Sequence, residues 1–465
     1  MTRRTAIAGA ETYFDDGGFQ SDLAALVAFE TESQNPAQAA ELSRYLTEAM
    51  VPRLHAMGFE TVLHANAVAG AGPILVAQRH EGAALPTVLT YGHGDVTHGQ
   101  AGQWRDGLHP FELTEDGARL YGRGTADNKG QHLITIAALE AVLRARGALG
   151  FNCRFVVETG EETGSPGLAA LFAAQKDALK ADVLIASDGP RLQPETPTMF
   201  MGARGCLDFD LLLDLREGAH HSGNWGGLLA DPAIILAQAL SVITDARGQI
   251  RVAEWRPNSL SEEIRAALRD LPVCEGAGPA VDENWGEADL SPAERVFGWN
   301  SFAVLAMQSG IPEAPVNAIS DKARAHCQLR YVVGTDTEEI LPALRRHLDA
   351  HGFAQVQIRA SEAGAFSPTR LSPRHPWAQF VARSIEETTG KAPHVLPNLA
   401  GSLPNDIFVD HLGLPTIWVP HSYRGCCQHA PDEHVLKPLC REALGLMAGV
   451  FWDIGAGDAP DAERR

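Results

Sequence analysis

The sequence lacks the features that mark membrane-spanning and disulfide-stabilised proteins. No apolar run approaches the ~18 residues of a membrane span, and the N-terminal apolar patch, residues 6–10, is too short for the core of a secretory signal. The cysteines are odd in number, scattered and free of any CxxC pair: Cys153, Cys206, Cys274, Cys327, Cys426, Cys427 and Cys440. We therefore expect reduced thiols in the cytoplasm.

Positive charge is also scarce, which restricts the class of partner. Lys and Arg number 38 against 58 Asp and Glu, giving a formal net charge of −20. This balance argues against nucleic acid or an anionic membrane as the partner. The chain is long, however, and its apolar content is high. Its 465 residues, 45% of them apolar, are enough to bury a large core and favour two domains.

Strand and helix patterns alternate through the first part of the chain. Residues 89–95, Leu-Thr-Tyr-Gly-His-Gly-Asp, are typical of a buried strand that ends in a loop. A helix is predicted over 131–146, a strand over 151–158, a helix over 167–179 and a strand over 181–187. Strand, helix and strand in this order form βαβ units. The fold class is therefore α/β, with a mostly parallel sheet flanked by helices.

A second pattern begins after the Pro-rich segment 190–197, which is a candidate boundary. Half-exposed alternating strands and amphipathic helices follow, typical of an α+β layer with antiparallel strands. The first pattern returns near Ser367. We therefore expect an inserted domain, with boundaries 1–198 and 366–465 for the two parts of the first domain and 199–365 for the insert.

Ionisable residues follow the predicted strand ends, where the loops of a parallel sheet gather. Two imidazoles and three carboxylates would suit two divalent ions if one carboxylate bridges them. Nitrogen and oxygen ligands without a thiolate favour zinc, with manganese or cobalt as alternatives. Glu161 is free to act as a general base for a metal-activated water. The candidate ligands are His93, Asp127, Glu162, Asp188 and His429.

Each candidate also has an ordinary structural interpretation. A single His-x-Asp pair, such as His93 and Asp95, is usually a surface turn, and adjacent glutamates are usually solvated. Asp188 suits the N-cap of a following segment as well as a ligand. Five candidates at successive strand ends nevertheless favour the metal site. In that reading Asp95 accepts the second imidazole N–H of His93.

Beside the candidate ligands, Cys426 and Cys427 invite a thiolate interpretation. The carboxylate set is complete without them, so we expect both to be buried, inert thiols.

At these motifs the sequence resembles a known family, the dinuclear metallopeptidases of clan MH. The family includes carnosinase and related dipeptidases, glutamate carboxypeptidase, aminoacylase, acetylornithine deacetylase and succinyl-diaminopimelate desuccinylase. The resemblance covers nearly the whole chain. It is carried by five segments: Gly92-His-Gly-Asp95, Gly122-Arg-Gly-Thr-Ala-Asp127-Asn-Lys-Gly130, Glu161-Glu-Thr-Gly-Ser-Pro-Gly-Leu168, Ser187-Asp188-Gly and Gln428-His429-Ala-Pro-Asp-Glu433.

The resemblance implies how the candidate ligands divide between two metals. His93 and Asp188 would hold one ion, Glu162 and His429 the other, and Asp127 would bridge them. It also implies a cis peptide bond after Asp127.

Catalytic roles follow from the same resemblance. Asp95 would orient His93, and Glu161 would be the general base. The inserted domain would be a lid that also forms a homodimer. Its His220-His221-Ser-Gly segment resembles one in which His221 stabilises the oxyanion, often in the partner's site. The alternative for His221 is a hydrogen-bonded loop histidine.

Further positions resemble a site for the substrate carboxylate. Asn317 and Arg330 of the lid would hold that group, and Arg suits it because its planar fork pairs both oxygens. A turn role for Asn317 and an ion pair within the lid for Arg330 are the alternatives. The segment Ala400-Gly401-Ser402 resembles a Gly-Gly-Ser loop that would present backbone N–H groups, with Ala400 in place of the first glycine.

Together these features predict a metal-dependent hydrolase that cleaves an amide bond next to a free carboxylate. A dipeptidase or carboxypeptidase is the favoured reading, with a small peptide as substrate. A deacylase of N-acyl amino acids, or another C–N amidohydrolase, is the alternative within enzymes. A non-catalytic metal- or peptide-binding module is the alternative from another class, although the intact Glu161 argues against it.

Overall fold

A computed structural model describes residues 2–273, 279–361 and 365–460. Cys274 lies outside the described residues. Among the described residues, no helix combines the length and apolar character that crossing a membrane requires.

Two groups of strands dominate the molecule, a mixed eight-stranded sheet and an antiparallel four-stranded sheet. In chain order the strands are β1 (Glu60–His64), β2 (Ile74–Arg79), β3 (Thr87–His93), β4 (Thr114–Asp116), β5 (Arg119–Tyr121), β6 (Asn152–Glu158), β7 (Val183–Ala186), β8 (Pro190–Arg191), β9 (Thr198–Phe200), β10 (Gly205–Asp214), β11 (His220–His221), β12 (Ser301–Ser309), β13 (Ala318–Ile319), β14 (Lys322–Tyr331), β15 (Gln357–Ala360), β16 (His394–Leu396), β17 (Thr416–Trp418), β18 (Ser422–Tyr423) and β19 (His434–Leu436).

Helices cover both sheets. The α-helices are α1 (Arg3–Asp15), α2 (Gly18–Val27), α3 (Ala39–Arg44), α4 (Val51–Ala56), α5 (Lys129–Arg146), α6 (Leu168–Ala174), α7 (Lys176–Leu179), α8 (Ser222–Trp225), α9 (Pro232–Ile243), α10 (Glu262–Leu268), α11 (Pro292–Phe297), α12 (Ile340–Ala350), α13 (Pro376–Thr389), α14 (Asn405–Leu412) and α15 (Lys437–Asp453). Short 3-10 segments occur as well, including Glu161–Thr163, and a π-helical turn, Tyr45–Met50, joins α3 to α4.

The large sheet has the order β1-β2-β6-β3-β7-β17-β9-β16. Its centre, from β6 through β3 and β7 to β17, is parallel, whereas β1 and β2 are antiparallel additions. The predicted βαβ units and mostly parallel sheet are therefore confirmed. Because the four central strands run in one direction, their carboxyl ends, and the loops that follow them, lie at one edge.

Both faces of the large sheet are buried at its central strands β6, β3 and β7, which explains the nearly continuous apolar runs of these strands. Successive residues of β3 show the alternation: Val88 packs into the core on the side of α5 and α15, and Leu89 into the core on the side of α6 and α14. Helices α1 and α15 belong to the first of these cores and were absent from the sequence prediction. Both pack against α5 across the sheet face.

The four-stranded sheet, order β12-β14-β10-β15, is the predicted antiparallel layer. Helices α9 and α12 cover one of its faces around a separate core. We call this unit the lid. The sequence prediction missed β12, α10 and α11, which lie in a Gly- and acid-rich region where periodicity is weak. The chain enters and leaves the lid side by side: the Thr369 amide donates to Ala203 O at 2.9 Å, and the Ala203 amide donates to Thr369 Oγ1 at 3.1 Å.

Candidate metal centre

His93 occupies the last position of β3 and is fully buried. Its Nδ1 lies 3.1 Å from the backbone oxygen of Asp95 and 3.4 Å from Asp95 Oδ1, so the backbone oxygen is the nearer acceptor. Its Nε2 lies 3.0 Å from Asp127 Oδ1 and 3.6 Å from Asp188 Oδ2. The imidazole is thus fixed on one side and faces two carboxylates on the other.

Asp127 lies just before α5, in a loop that reaches the same sheet edge. Its Oδ1 faces His93, while its Oδ2 lies 2.8 Å from His429 Nε2 and 2.6 Å from Gln428 Nε2. The two oxygens of one carboxylate therefore face two different histidines. The peptide bond from Asp127 to Asn128 is cis.

Glu162 and His429 complete a second group of side chains on the far side of Asp127. Glu162 Oε2 lies 3.2 Å from His429 Nε2. Potential ligand atoms within 4.8 Å of one another form two sets that share Asp127: one contains His93 and Asp188, the other Glu162 and His429. The structure thus groups the five candidates in the same pairs that the family resemblance implies.

The chemistry of this cluster suits cations. Asp188 Oδ2 is buried, faces His93 and has no hydrogen-bond partner among the described residues. Burial and the charge of Asp127 raise the pKa of Glu162 to about 7. Burial lowers the pKa of His429, but hydrogen bonds to Asp127 and Glu162 raise it overall to about 11. Carboxylates gathered at this density attract positive charge, and the residues fit two divalent ions that share Asp127.

Glu161 and Glu162 follow β6 in a single 3-10 turn held by Asp95. The two Asp95 oxygens accept hydrogen bonds from the amides of Glu161 and Glu162, at 3.2 and 3.1 Å. Asp95 therefore contacts both the His93 ring and the turn that carries the two glutamates. Burial and the charges of Glu162 and Asp188 raise the pKa of Glu161 well above its usual range, although His93 opposes them.

A cavity of about 510 Å³ opens over this cluster between the large sheet and the lid. Asp127, Glu161, Glu162, Asp188 and His429 line one part of it. Opposite them, the lid contributes Arg330 and the large-sheet unit contributes the segment 399–403, which includes Gly401 and Ser402. Arg330 Nη1 donates to Ser402 Oγ at 3.0 Å and Arg330 Nε to Gln328 at 3.1 Å. The sequence-predicted Arg330, Gly401 and Ser402 are thus brought to the site.

His221 and Asn317 are not brought to this cavity. His221 ends strand β11 of a small two-stranded ribbon, where it pairs with Ala318 of β13, and Asn317 immediately precedes β13. Both residues are exposed. His221 Nδ1 accepts the Gly223 amide at 3.1 Å, and the Asn317 oxygen accepts the Ser222 amide at 2.9 Å. Within one subunit, His221 is a hydrogen-bonded loop histidine.

Two buried acids beside the site had no role in the sequence analysis. Glu433 Oε1 accepts the amides of Gly124 and Ala126, and Glu433 Oε2 pairs with Arg123 at 2.8 Å. Glu158, the last residue of β6, accepts hydrogen bonds from Tyr91 and from Ser165. Glu433 is the last residue of the segment Gln428–Glu433, but its contacts are with residues distant in sequence, so only the fold reveals them.

The expectation for the neighbouring cysteines was half wrong. Cys426 is buried, and burial raises the pKa of its thiol to about 12. Cys427 is exposed. The difference between the two neighbours is local, because Cys426 packs into the core while the backbone turns at Cys427 with a φ of 57°. The described cysteines are all free thiols.

Comparison with known proteins agrees with the geometry. A model of peptidase family M20/M25/M40 matches residues 89–452. The chain is 27% identical over 360 residues to a cysteinylglycine-S-conjugate dipeptidase of Corynebacterium striatum, covering 76% of each protein. It is 36% identical over 184 residues to the beta-Ala-His dipeptidase of Mus musculus, which covers 39% of this chain and 37% of that one.

Solved structures share the fold along almost the whole chain. The crystal structure of human carnosine dipeptidase 1 superposes with a TM-score of 0.79 at 22% identity, covering 97% of this chain and 99% of that one. A metallo-carboxypeptidase of Sulfolobus solfataricus, Sso-CP2, gives a TM-score of 0.80 at 23% identity, covering 94% and 99%.

Proposed function

The chain belongs to peptidase family M20/M25/M40, a metal-dependent family, and from this premise we propose that it cleaves the amide bond of a dipeptide or short peptide next to a free carboxylate. One observation carries the proposal: in a single cavity, the Asp127 carboxylate lies between two histidines, and Arg330 with Ser402 lies opposite. The residues proposed to hold the metals and those proposed to bind the substrate carboxylate, Arg330 and Ser402, therefore line the same cavity.

The proposed ligands are His93 and Asp188 for one ion and Glu162 and His429 for the other, with Asp127 shared. Zinc is the proposed metal, because the donors are nitrogen and oxygen without a thiolate; manganese and cobalt also accept this set. When bound, two such ions would activate a water molecule and polarise the scissile carbonyl.

Glu161 is the proposed general base. It borders the cavity, and its raised pKa allows it to take a proton and hold it until the amine leaves. Asp95 keeps Glu161 in place through its backbone amide. Glu161 would then deliver the proton to the leaving amine, which completes the transfer with the same side chain.

The substrate carboxylate is proposed to bind at Arg330 and Ser402, with the Gly401 amide as a further donor. A guanidinium suits this role because its planar fork pairs two carboxylate oxygens. Among the described residues, the Arg330 guanidinium forms no ion pair with a carboxylate. Its hydrogen-bond acceptors are the neutral side chains of Gln328 and Ser402. Its charge is therefore available to an anionic substrate.

We also propose a homodimer through the lid. Strand β12 is an edge strand of nine residues, and Val304, Leu305 and Met307 are 42%, 54% and 46% exposed. An exposed apolar edge strand presents unpaired backbone groups and apolar side chains that a second chain can cover. His221 and Asn317 lie exposed on the same lid, where they could reach the site of a second subunit. In this proposal His221 of the partner subunit stabilises the oxyanion.

The domain boundaries remain proposals at 1–198, 199–365 and 366–465. The cytoplasmic location is likewise proposed, and the free thiols of the described cysteines support it.

A deacylase of N-acyl amino acids is the second candidate, because it would use the same carboxylate anchor and the same metals. The names of the sequence relatives favour dipeptides. A panel of dipeptides and N-acyl amino acids, measured as kcat/KM, separates the two functions.

The substitution Glu161→Gln tests the proposed function. Its amide keeps the size of the side chain but cannot take a proton, so we expect both metals to be retained and kcat to fall by roughly 10³-fold or more. Metal content by atomic emission and turnover of the preferred dipeptide are the measurements. Near-normal turnover with a full complement of metal would refute the assignment of Glu161.

A further inference from the structure

Arg204 lies in the short connection from β9 of the large sheet to β10 of the lid. It is 8% exposed. In the part of the chain that the structure describes, its guanidinium forms no ion pair with a carboxylate. It donates hydrogen bonds to the Ala400 oxygen and the Ser301 hydroxyl. A buried charge without a countercharge is costly, so its position calls for an explanation.

Arg204 holds the segment 399–402, which borders the cavity. Its backbone amide lies 3.2 and 3.1 Å from the oxygens of Leu399 and Gly401, and its Nε donates to Ala400 O at 2.6 Å. Ser402 Oγ donates to the Arg204 oxygen at 2.8 Å. One residue thus engages three successive carbonyl groups and one hydroxyl. The amides of Gly401 and Ser402 have no acceptor among the described residues.

Arg204 also reaches the lid. Its Nη1 donates to Ser301 Oγ at 3.1 Å, at the first residue of β12. Ser301 lies directly opposite Arg330 in the pairing of β12 with β14, and Arg330 donates to Ser402. A closed chain of contacts therefore runs from Arg204 through Ser301, Arg330 and Ser402 back to Arg204.

We propose that Arg204 is a positioning residue that sets the preference of the site for a free carboxylate. It holds the carbonyl groups of residues 399–401, and the amides of Gly401 and Ser402 are left without an acceptor among the described residues. It also places a second positive charge beside Arg330 across the joint between the lid and the large sheet. This inference rests on the proposed function, because it names the residue that makes the carboxylate anchor selective.

The electrostatics agree with this role. Burial, and then the repulsion of Arg330, lower the pKa of Arg204 to about 10. The two guanidinium groups repel each other, and an anion between or beside them offsets that repulsion. A substrate carboxylate relieves that repulsion, whereas a neutral amide at the same place does not.

The test compares a dipeptide with the same dipeptide carrying a C-terminal amide. In Arg204→Gln we expect kcat/KM for the free dipeptide to fall about tenfold or more, mainly through KM, because a hydrogen-bonded charge is lost. The amide substrate should change little, so the selectivity ratio should shrink. Arg204→Lys keeps the charge but cannot make both side-chain contacts, so its selectivity ratio should lie between those of the wild type and Arg204→Gln. Arg359→Gln, on the exposed edge of the lid, is the matched control.

Equal losses on both substrates, or no loss on either, would overturn the proposal. Metal content must stay constant across the set. Ser301→Ala removes only the acceptor of Nη1, so it provides the test if Arg204→Gln does not fold. Calorimetry measures binding of the dipeptide and of its amide to Glu161→Gln, with and without Arg204→Gln. This measurement separates the positioning role of Arg204 from the proposed peptidase function. If the wild-type protein hydrolysed neither substrate but still bound the free dipeptide more tightly than its amide, and Arg204→Gln abolished this preference, the proposed function would be refuted and the role of Arg204 would stand.

Discussion

The carboxylate of Glu433 accepts a hydrogen bond from the backbone amide of Asp127 at 3.1 Å, across 306 residues of sequence. The same oxygen accepts the amides of Gly124 and Ala126, and the other oxygen pairs with Arg123, which is also buried. The loop that holds Asp127 and the loop that holds His429 are therefore tied together by one charged group.

Glu433→Gln should weaken metal binding. The amide cannot neutralise Arg123, so a buried charge is left uncompensated, at a cost of about 3 kcal/mol in the free energy of unfolding. Loss of the supporting contact should reduce metal affinity by roughly 10- to 100-fold. Chelator competition and urea unfolding measure the two effects.

The matched control is Glu442→Gln, since Glu442 pairs at 2.6 Å with Arg191, another buried arginine, and its hydrogen-bond partners, Arg191 and Lys391, are not candidate ligands. It should lower stability while metal affinity stays unchanged. Equal metal affinities in the two variants would show that Glu433 serves only the general fold.

Asp95→Asn should lower kcat by roughly 10- to 100-fold with metal content largely retained. An asparagine offers one oxygen where two amides now donate, so the turn carrying Glu161 loses one of its two contacts. Asp182→Asn is the control, because Asp182 accepts the Thr87 amide at the opposite end of β3, at 2.7 Å. A normal kcat in Asp95→Asn would contradict the positioning role.

His221→Ala should fold, bind metal and lose activity, because the residue is exposed and does not line the cavity of its own subunit. Mixed with Glu161→Gln subunits, it should recover about a quarter of the wild-type activity, since half of the randomly formed dimers carry one complete site of two. No recovery after subunit exchange, verified by native mass spectrometry, would rule out a site shared between subunits.

Glu158 should make the metal-free protein less stable as the pH rises. Burial, and then the charge of Asp95, raise the pKa of Glu158 from an ordinary value of 4.5 to about 7. The folded state then binds more protons than the unfolded chain between these values. The free energy of unfolding therefore falls across pH 4.5 to 7, by on the order of 3 kcal/mol for this group.

Glu158→Gln keeps an acceptor for Tyr91 and Ser165 but removes the titration. Urea unfolding at pH 5 and pH 8, with chelator present, should show a smaller loss of stability at high pH than in the wild type. Parallel stability curves for the two proteins would contradict the assigned shift.

The positions of four candidate ligands were predictable because each follows a strand or precedes a helix, whereas His429 lies in the loop between β18 and β19 and was located by its motif. An apolar run before His93, or before Asp188, locates a strand end, and parallel strands bring their ends together. The roles of Arg204 and Glu433 were not predictable, because their partners are distant in sequence. Periodicity also failed for β12, whose exposed apolar residues do not alternate with polar ones as a half-buried strand would.

The two hydrogen bonds between Ala203 and Thr369 have a consequence for how the chain divides its tasks. Because entry and exit are hydrogen-bonded neighbours, joining them by a tight turn would close the main chain without disturbing the large sheet. Every proposed ligand lies outside the excised stretch, whereas Arg330 lies within it. A chain shortened in this way would keep all five proposed ligands and lose both Arg204 and Arg330, so metal binding and substrate selection are assigned to separate parts of the sequence.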